Sequence, residues 1–389
     1  QDQPRSTEYN DAAPVLEIVM NDGQDHYPTW ACTGDIFTYG NLSQTKNTVI
    51  TDELNVTLGK HNLFAGLQFE HNYAANGYAQ AAAGYFCYEA TPEEAATGNW
   101  AAVFSRDPRV FGITYGNNAD FSMFTSEMST NQWSLYFQDN ISWSERFRMS
   151  LGVRFELPSY PSLENNYNAD FYKLDFGGRH FRTDNVPDAS ISVSPRIGFN
   201  WDVTGERKYI LRGGTGLFVG RMPFVWLISA VGNSGMGQTT YVATTSNGNT
   251  LPSISVYGQT TPTQEDMLRQ IGAVSSTSIP SGPTILSEDL RMPKTWKASL
   301  AFDAKLPGDI DFTTEFIYNR DLNPVVVSNA NVYWDGSSKI DLGHGDVRHL
   351  MNFYNKDDRG NATPNTYLLE NAGTKAYYAS LSFQLDKAF

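Results

Sequence analysis

The chain has 389 residues and a formal net charge of −14, with 42 Asp and Glu against 28 Lys and Arg. That balance excludes nucleic acid as a partner, because phosphate binding wants clustered cations. No stretch reaches the roughly 18 apolar residues that a membrane-spanning helix needs, which excludes a helical membrane protein but not one that crosses with strands.

In chain order, four hairpins of alternating apolar and polar residues appear. The first lies near 48–73: Ile50, Leu54, Val56 and Leu58 share one face. After a turn at 59–62, Leu63, Ala65, Leu67 and Phe69 continue it. The second, near 129–157, enters with Trp133, Leu135, Phe137, Ile141 and Trp143 and turns at Ser144-Glu145-Arg146. It leaves with Phe147, Met149, Leu151, Val153 and Phe155, while Arg148, Ser150, Gly152, Arg154 and Glu156 fill the other face. The third, near 195–219, sets Ile197, Phe199 and Trp201 against Arg196 and Asn200. It turns at 204–206 and returns through Tyr209, Leu211 and Leu217, with Arg212 opposite. The fourth, near 294–320, carries Trp296, Leu300 and Phe302, turns at 307–309, and returns with Phe312 and Phe316. A final strand near 376–386 has Tyr377, Leu381, Phe383 and Leu385 in phase.

Side chains on a strand alternate faces, so each hairpin is a ribbon with one greasy and one polar side. Between them lie the long segments 74–128, 160–192, 221–292 and 321–374. Loops of that length are uncommon in compact soluble domains. Short turns alternating with long loops between two-faced strands are the signature of a transmembrane β-barrel. The expected fold class is therefore all-β, an antiparallel transmembrane β-barrel with short periplasmic turns and long extracellular loops. Trp133, Phe137, Trp143, Phe147, Phe155, Phe199, Trp201, Tyr209, Trp296, Phe302, Phe312 and Phe316 are expected on the lipid face or in its aromatic girdle. Arg148, Arg154, Glu156, Arg196 and Arg212 are expected in the lumen. Asp52 and Asp139 interrupt the apolar face, and are expected near the turn-side interface or at a bulge, since charge in mid-membrane is costly.

Chemistry is sparse. No Ser/His/Asp, phosphate-loop or metal signature stands out, so neither an enzyme nor a cofactor or metal site is expected. Asp341-Leu342-Gly343-His344-Gly345-Asp346 with His349 has ligand types without a ligand spacing, and Asn21-Asp22-Gly23-Gln24-Asp25 lacks the distal Glu of a calcium loop. Cys32 and Cys87 fit a disulfide in an exported chain and fit two free thiols equally well. Gln1-Asp2-Gln3-Pro4 lacks the basic start and apolar core of a signal peptide.

The run from Trp133 to Glu156, with Tyr136-Phe137-Gln138-Asp139 leading through a short turn to Gly152-Val153-Arg154-Phe155, resembles a strand pair of TonB-dependent outer-membrane transporters. Ser194-Pro195-Arg196-Ile197-Gly198-Phe199, Leu211-Arg212-Gly213-Gly214-Thr215-Gly216 and Tyr318-Asn319-Arg320-Asp321-Leu322-Asn323-Pro324 are similar to the Oar-like branch of that family. The resemblance covers about half of the chain, all of it barrel. It implies a segment of a roughly 22-stranded barrel in the outer membrane of a Gram-negative bacterium. It also implies outer-membrane lipid, the protein's own plug domain and the TonB energy-coupling complex as partners, with a surface lipoprotein or another protein as a further one. Neither a plug nor a signal peptide is recognisable in these residues, so both are expected in sequence outside them. A barrel-based scaffold or adhesin, a porin-like channel and a secreted β-rich binding module remain as alternatives.

Overall fold

The structure, a computed structural model, describes residues 13–20, 29–34, 36–37, 41–252, 262–357, 360, 362–373 and 376–387. The alternating runs fold as nine strands. They are β1 (Asn41–Leu58), β2 (His61–Tyr78), β3 (Ser126–Ser142), β4 (Phe147–Ser159), β5 (Ser192–Asp202), β6 (Tyr209–Val219), β7 (Lys294–Leu306), β8 (Ile310–Asp321) and β9 (Tyr377–Lys387). They form one antiparallel sheet whose spatial order is the chain order, with β1 and β9 at its open edges. β1 and β2 run 18 residues each, longer than the first hairpin's apolar pattern suggests. Their outer ends carry polar and small residues such as Asn41, Ser43, Ala74 and Asn76, which the alternation rule reads as loop.

Register explains the two faces. Ile141, Met149, Phe199, Gly213, Leu300, Phe316 and Leu381 are successive partners across seven strands. Arg148, Asn200, Arg212, Ala301, Glu315 and Ser382 form a row of the opposite face. The girdle residues named above all fall on the apolar face, Trp143 just past the end of β3. Many stand exposed, including Trp133, Phe137, Trp143, Phe155, Trp201, Trp296 and Phe316. Aromatic contacts gather at both ends of that face. Phe69–Trp133 and Trp296–Tyr318 meet at the loop end, and Phe147–Phe199, Tyr209–Phe302 and Phe312–Phe383 at the turn end. Leu157, the partner of Trp133, lies about ten residues from Phe147 along β4. That is roughly 33 Å of strand, or about 25 Å across a bilayer at barrel tilt.

Asp139 lies three residues from the end of β3, on the turn side. Asp52 departs from expectation: it pairs with Leu67 in an uninterrupted register, six residues before the end of β1 and at no bulge. It sits on an edge strand, where its carboxylate stays open to water in this structure.

The long segments are not plain loops. Tyr85–Ala90, Val110–Gly116 and Gln238–Thr244 join Val15–Met20 and Thr29–Cys32 in a five-stranded sheet, and Thr284–Leu286, Tyr367–Asn371 and Val325–Asn329 form a three-stranded one. Each has its own apolar core. Phe86, Tyr88, Val103, Phe111, Ile113 and Met267 pack in the first, and Phe171, Ile285 and Leu368 beside the second. Every one of the largest fully buried side chains lies in these segments and none in β1–β9. At about 1.5–3 kcal/mol for each such side chain buried, the segments build a folded cap, whereas among the described residues no protein covers the apolar face of the sheet.

Cys32 and Cys87 are free thiols. They are the two cross-strand neighbours of Glu17, one on each side of the strand Val15–Met20. Two strand spacings, roughly 9.6 Å, exceed the reach of about 7 Å between disulfide-bonded Cα atoms, so the pairing alternative fails. Burial also pushes the Cys87 thiol pKa up, away from the reactive thiolate. In the folded protein a maleimide should therefore label the exposed Cys32 rapidly and Cys87 only after denaturation; rapid labelling of both would contradict the cap packing.

A second outcome concerns the faces of the sheet. Leu151→Arg places a cation on the lipid-facing side at a cost of roughly 2–4 kcal/mol near mid-membrane. It should sharply lower the yield of heat-modifiable, outer-membrane-inserted protein. Arg154→Leu, on the opposite face, should lower it far less. Equal losses would mean that the two faces are not lipid and lumen.

Candidate functional site: the polar face and its cap

Each expected lumenal residue projects from the polar face, but they do not converge on one site. Toward the loop end, Arg154 donates to Glu156 at 3.0 Å and to Gln68 at 2.7 Å, and its guanidinium lies over the Tyr136 ring. Gln132 adds a further donor to Glu156 at 3.1 Å. The Tyr136 hydroxyl donates to Glu53 at 2.6 Å, three strands of the wall thus being tied together. This needs Gly66: a Cβ there would lie 2.2 Å from the Tyr136 ring, so the glycine is a slot for a crossing aromatic.

Arg212 is matched by Asp303 at 2.9 Å, which also accepts from Thr313 at 2.9 Å, with Glu315 at 4.0 Å. Arg148 and Arg196 differ. Neither has an ion-pair or hydrogen-bond partner among the described residues. The polar face is thus internally neutralised at Arg154 and Arg212, and among the described residues leaves Arg148, near the turn end, and Arg196, near mid-strand, without an ion-pair partner.

On β2 and β3 the loop end of the same face is covered by the cap. Helix Phe224–Gly232 packs Leu227, Ile228, Ala230 and Val231 with Ala74 of β2 and Met128 of β3. Just before that helix, Arg221 forks onto both carboxylate oxygens of Glu70 on β2. The Glu70 side chain is only 3 % exposed and also accepts from Asn47 at 2.9 Å. Such a planar two-point pairing fixes direction as well as distance. Deeper in the cap, the buried Asn168 amide donates to the carbonyls of Ser234 at 2.9 Å and Ser278 at 2.8 Å, and its Oδ1 accepts from Phe171 N at 3.0 Å. One side chain so pins two long segments, 160–192 and 221–292, together.

Reading the sequence missed Glu70, Arg221 and this helix. A signal was present: Pro223 precedes the apolar run Phe224-Val225-Trp226-Leu227-Ile228, and proline followed by such a run marks a helix start. Asp341 to His349 form an exposed hairpin in which His349 stacks on Trp334 at 3.7 Å. No group of three metal-ligating side chains occurs among the described residues. The segment 21–25 lies outside them.

A wall of this kind, greasy outside, polar inside and capped at one end, defines the class of outer-membrane β-barrels. The chain belongs to the outer membrane beta barrel domain family, which it matches over residues 1–389. It is an outer-membrane protein of the Gram-negative type. No curated protein sequence matches it. Among solved structures it is similar to the outer membrane transporter YddB from Escherichia coli, at 12 % identity and a TM-score of 0.48, over 95 % of this chain and 34 % of that one. It is also similar to the siderophore receptor PirA from Acinetobacter baumannii (10 % identity, TM-score 0.41, 95 % and 37 % covered). A third is the FrpB iron transporter from Neisseria meningitidis (10 %, 0.38, 89 % and 34 %). The chain thus spans about a third of the length of these proteins.

The Glu70–Arg221 pair makes a testable claim about the cap. Arg221→Ala leaves a buried carboxylate with Asn47 alone, a loss of about 1–3 kcal/mol. Hydrogen exchange in Phe224–Gly232 should accelerate while that of β4–β6 stays unchanged. Unaltered exchange in the helix would show that the fork does not hold the cap.

Proposed function

We propose that this chain forms part of the wall of a TonB-dependent outer-membrane transporter, of the roughly 22-stranded kind that the sequence resemblance implies. The observation that carries the reading is the nine-stranded sheet with two open edges and free cations on its inner face. An unpaired strand edge is not tolerated in lipid, so β1 and β9 need further strands. A barrel that wide must be filled to remain a barrier. Arg148 and Arg196, without ion-pair partners among the described residues, supply contacts for an acidic filling body, the protein's own plug domain. Ligand capture at the cap, followed by TonB-driven movement of the plug, is the transport cycle that fits such a wall.

A second reading has its own support. The cap is a folded unit with several apolar cores, which suits a surface scaffold or adhesin as well as a receptor. A freely open porin-like channel fits less well, since the helix Phe224–Gly232 lies over the inner wall. Binding of a purified TonB C-terminal domain to the full-length protein separates the two. Saturable binding is expected, and full-length protein that is folded and inserted yet never binds TonB would overturn the transporter reading.

Orientation follows from the same proposal, with the short turns periplasmic and the cap outside. In a Cys32→Ser background, an impermeant maleimide added to intact cells should label Gly343→Cys in the cap and spare Glu145→Cys in the turn between β3 and β4. The reverse pattern would invert the topology.

A further inference from the structure

We propose that a hollow on the inner face of β5–β8 binds a small polyhydroxylated carboxylate, with the chemistry of a sugar acid. The inference rests on the transporter reading, since it places a ligand on the wall that encloses the plug. The hollow has a volume of about 590 Å³, within the range of small-molecule sites. Its floor is backbone. Gly216 stands in register between Arg196 on β5 and Lys297 on β7, and Gly214 between Gly198 and Ser299 one row toward the turns. A Cβ at Gly214 would lie 2.9 Å from the Ile197 carbonyl oxygen, and one at Gly216 3.0 Å from that of Pro195. Neither position takes a side chain without a shift of backbone, so the space between the two cations stays open.

Two strand spacings, roughly 9.6 Å, separate the Cα atoms of Arg196 and Lys297. Both residues are exposed, and neither has a carboxylate partner among the described residues. Glu315 also borders the hollow, but it faces Arg212 at 4.0 Å. The hollow therefore carries an excess of positive charge. Phe218 projects from the polar face one row nearer the loops, 42 % exposed, and the Lys297 ammonium lies 5.4 Å from its ring centroid. Beside Lys297 stand Ser299, two residues on, and Asn319, its register partner on β8. Neither side chain has a hydrogen-bond partner among the described residues.

A ligand for this surface needs negative charge for the cations and hydroxyl groups for Ser299 and Asn319. It also needs a ring that can lie on a flat floor against Phe218. A sugar acid has all three, whereas an inorganic anion would use the cations and ignore the rest. Arg196 is in addition one of the cations assigned above to the plug. An acid seated in the hollow competes with the plug for that guanidinium, so that occupancy loosens the plug's hold on this part of the wall.

The test uses the full-length protein in detergent, folded by the heat-modifiability criterion, with digalacturonate as the probe in isothermal titration calorimetry. Saturable binding is expected, and the dimethyl ester of the same disaccharide, which lacks both charges, should not bind. Lys297→Gln should weaken binding about tenfold, the worth of one charge-assisted hydrogen bond. Arg196→Gln should do the same and covers the case in which Lys297→Gln does not fold. Lys339→Gln, in the exposed hairpin of the cap, should leave the affinity unchanged. No binding by wild type, or equal binding by wild type and both wall variants, would overturn the proposal. Absent binding together with new protease cleavage of the plug in Lys297→Gln would assign the hollow to the plug instead. Binding of the TonB domain to the same preparation keeps the two readings apart. If TonB binds and the acid does not, the hollow alone falls; if the acid binds and TonB does not, the transporter reading alone falls.

Discussion

In hydrocarbon a backbone amide or carbonyl finds no water, so every strand that crosses must be paired on both sides. Pairing fixes register, and register fixes which alternate side chains meet lipid, because a slip of one residue would reverse both faces of a strand. The turns here enforce that choice. The two-residue turn between Leu58 and His61, opened by Gly59 at φ +60°, passes the apolar face from even positions in β1 to odd positions in β2. The three-residue turn between Leu306 and Ile310, with Gly308 and Asp309 at positive φ, keeps it on even positions from β7 to β8. Turn length is therefore part of the membrane code, as much as the leucines and phenylalanines it puts in phase.

A division of labour follows. The sheet buries little within the protein: its aromatic and aliphatic residues face outward and wait for lipid. The cap does the opposite, with Phe86, Phe111, Phe171 and Leu290 fully enclosed and polar pins such as Asn168 satisfied internally. The two meet where the inner wall changes character, at Ala74 and Met128, small or flexible residues that accept a helix where the polar face would otherwise continue. The cap is thereby seated on the wall by apolar contact and oriented by the Glu70–Arg221 fork.

This contrast accounts for what could be read from the sequence. A strand between lipid and lumen must alternate for its whole crossing, so the cores of the hairpins, and which of their residues share the apolar or the polar face, were legible from period alone. The ends of β1 and β2 were not, because beyond the membrane their faces meet water and cap and no longer need to differ. The cap was illegible for a related reason. Its strands are short and buried on both faces, like Phe86-Cys87-Tyr88, and a brief apolar run has no period to reveal its partner. Its parallel pair, Val15–Met20 with Tyr85–Ala90, joins residues about 70 apart. The Glu70–Arg221 pair spans 151 residues, a distance over which charge alone says nothing. Only the sequence segment around Pro223 offered a local cue.

Around Arg196 the polar face has an unusual shape. Its cross-strand neighbours are Gly152 on one side and Gly216 on the other. A Cβ at Gly152 would lie 3.2 Å from Arg196 Cγ, and one at Gly216 3.1 Å from Arg196 Cβ. The arginine stem therefore lies across surface that both neighbours leave bare, and that part of the inner face is low as well as charged. Gly214 lowers it further, its hypothetical Cβ meeting the Ile197 carbonyl at 2.9 Å. Glycine in a strand gives up packing and conformational economy, a cost that an empty lumen would not reward. A flat, cationic stretch of wall has a use when a second body slides against it, and this is the physical reason for favouring a filled barrel over an open one.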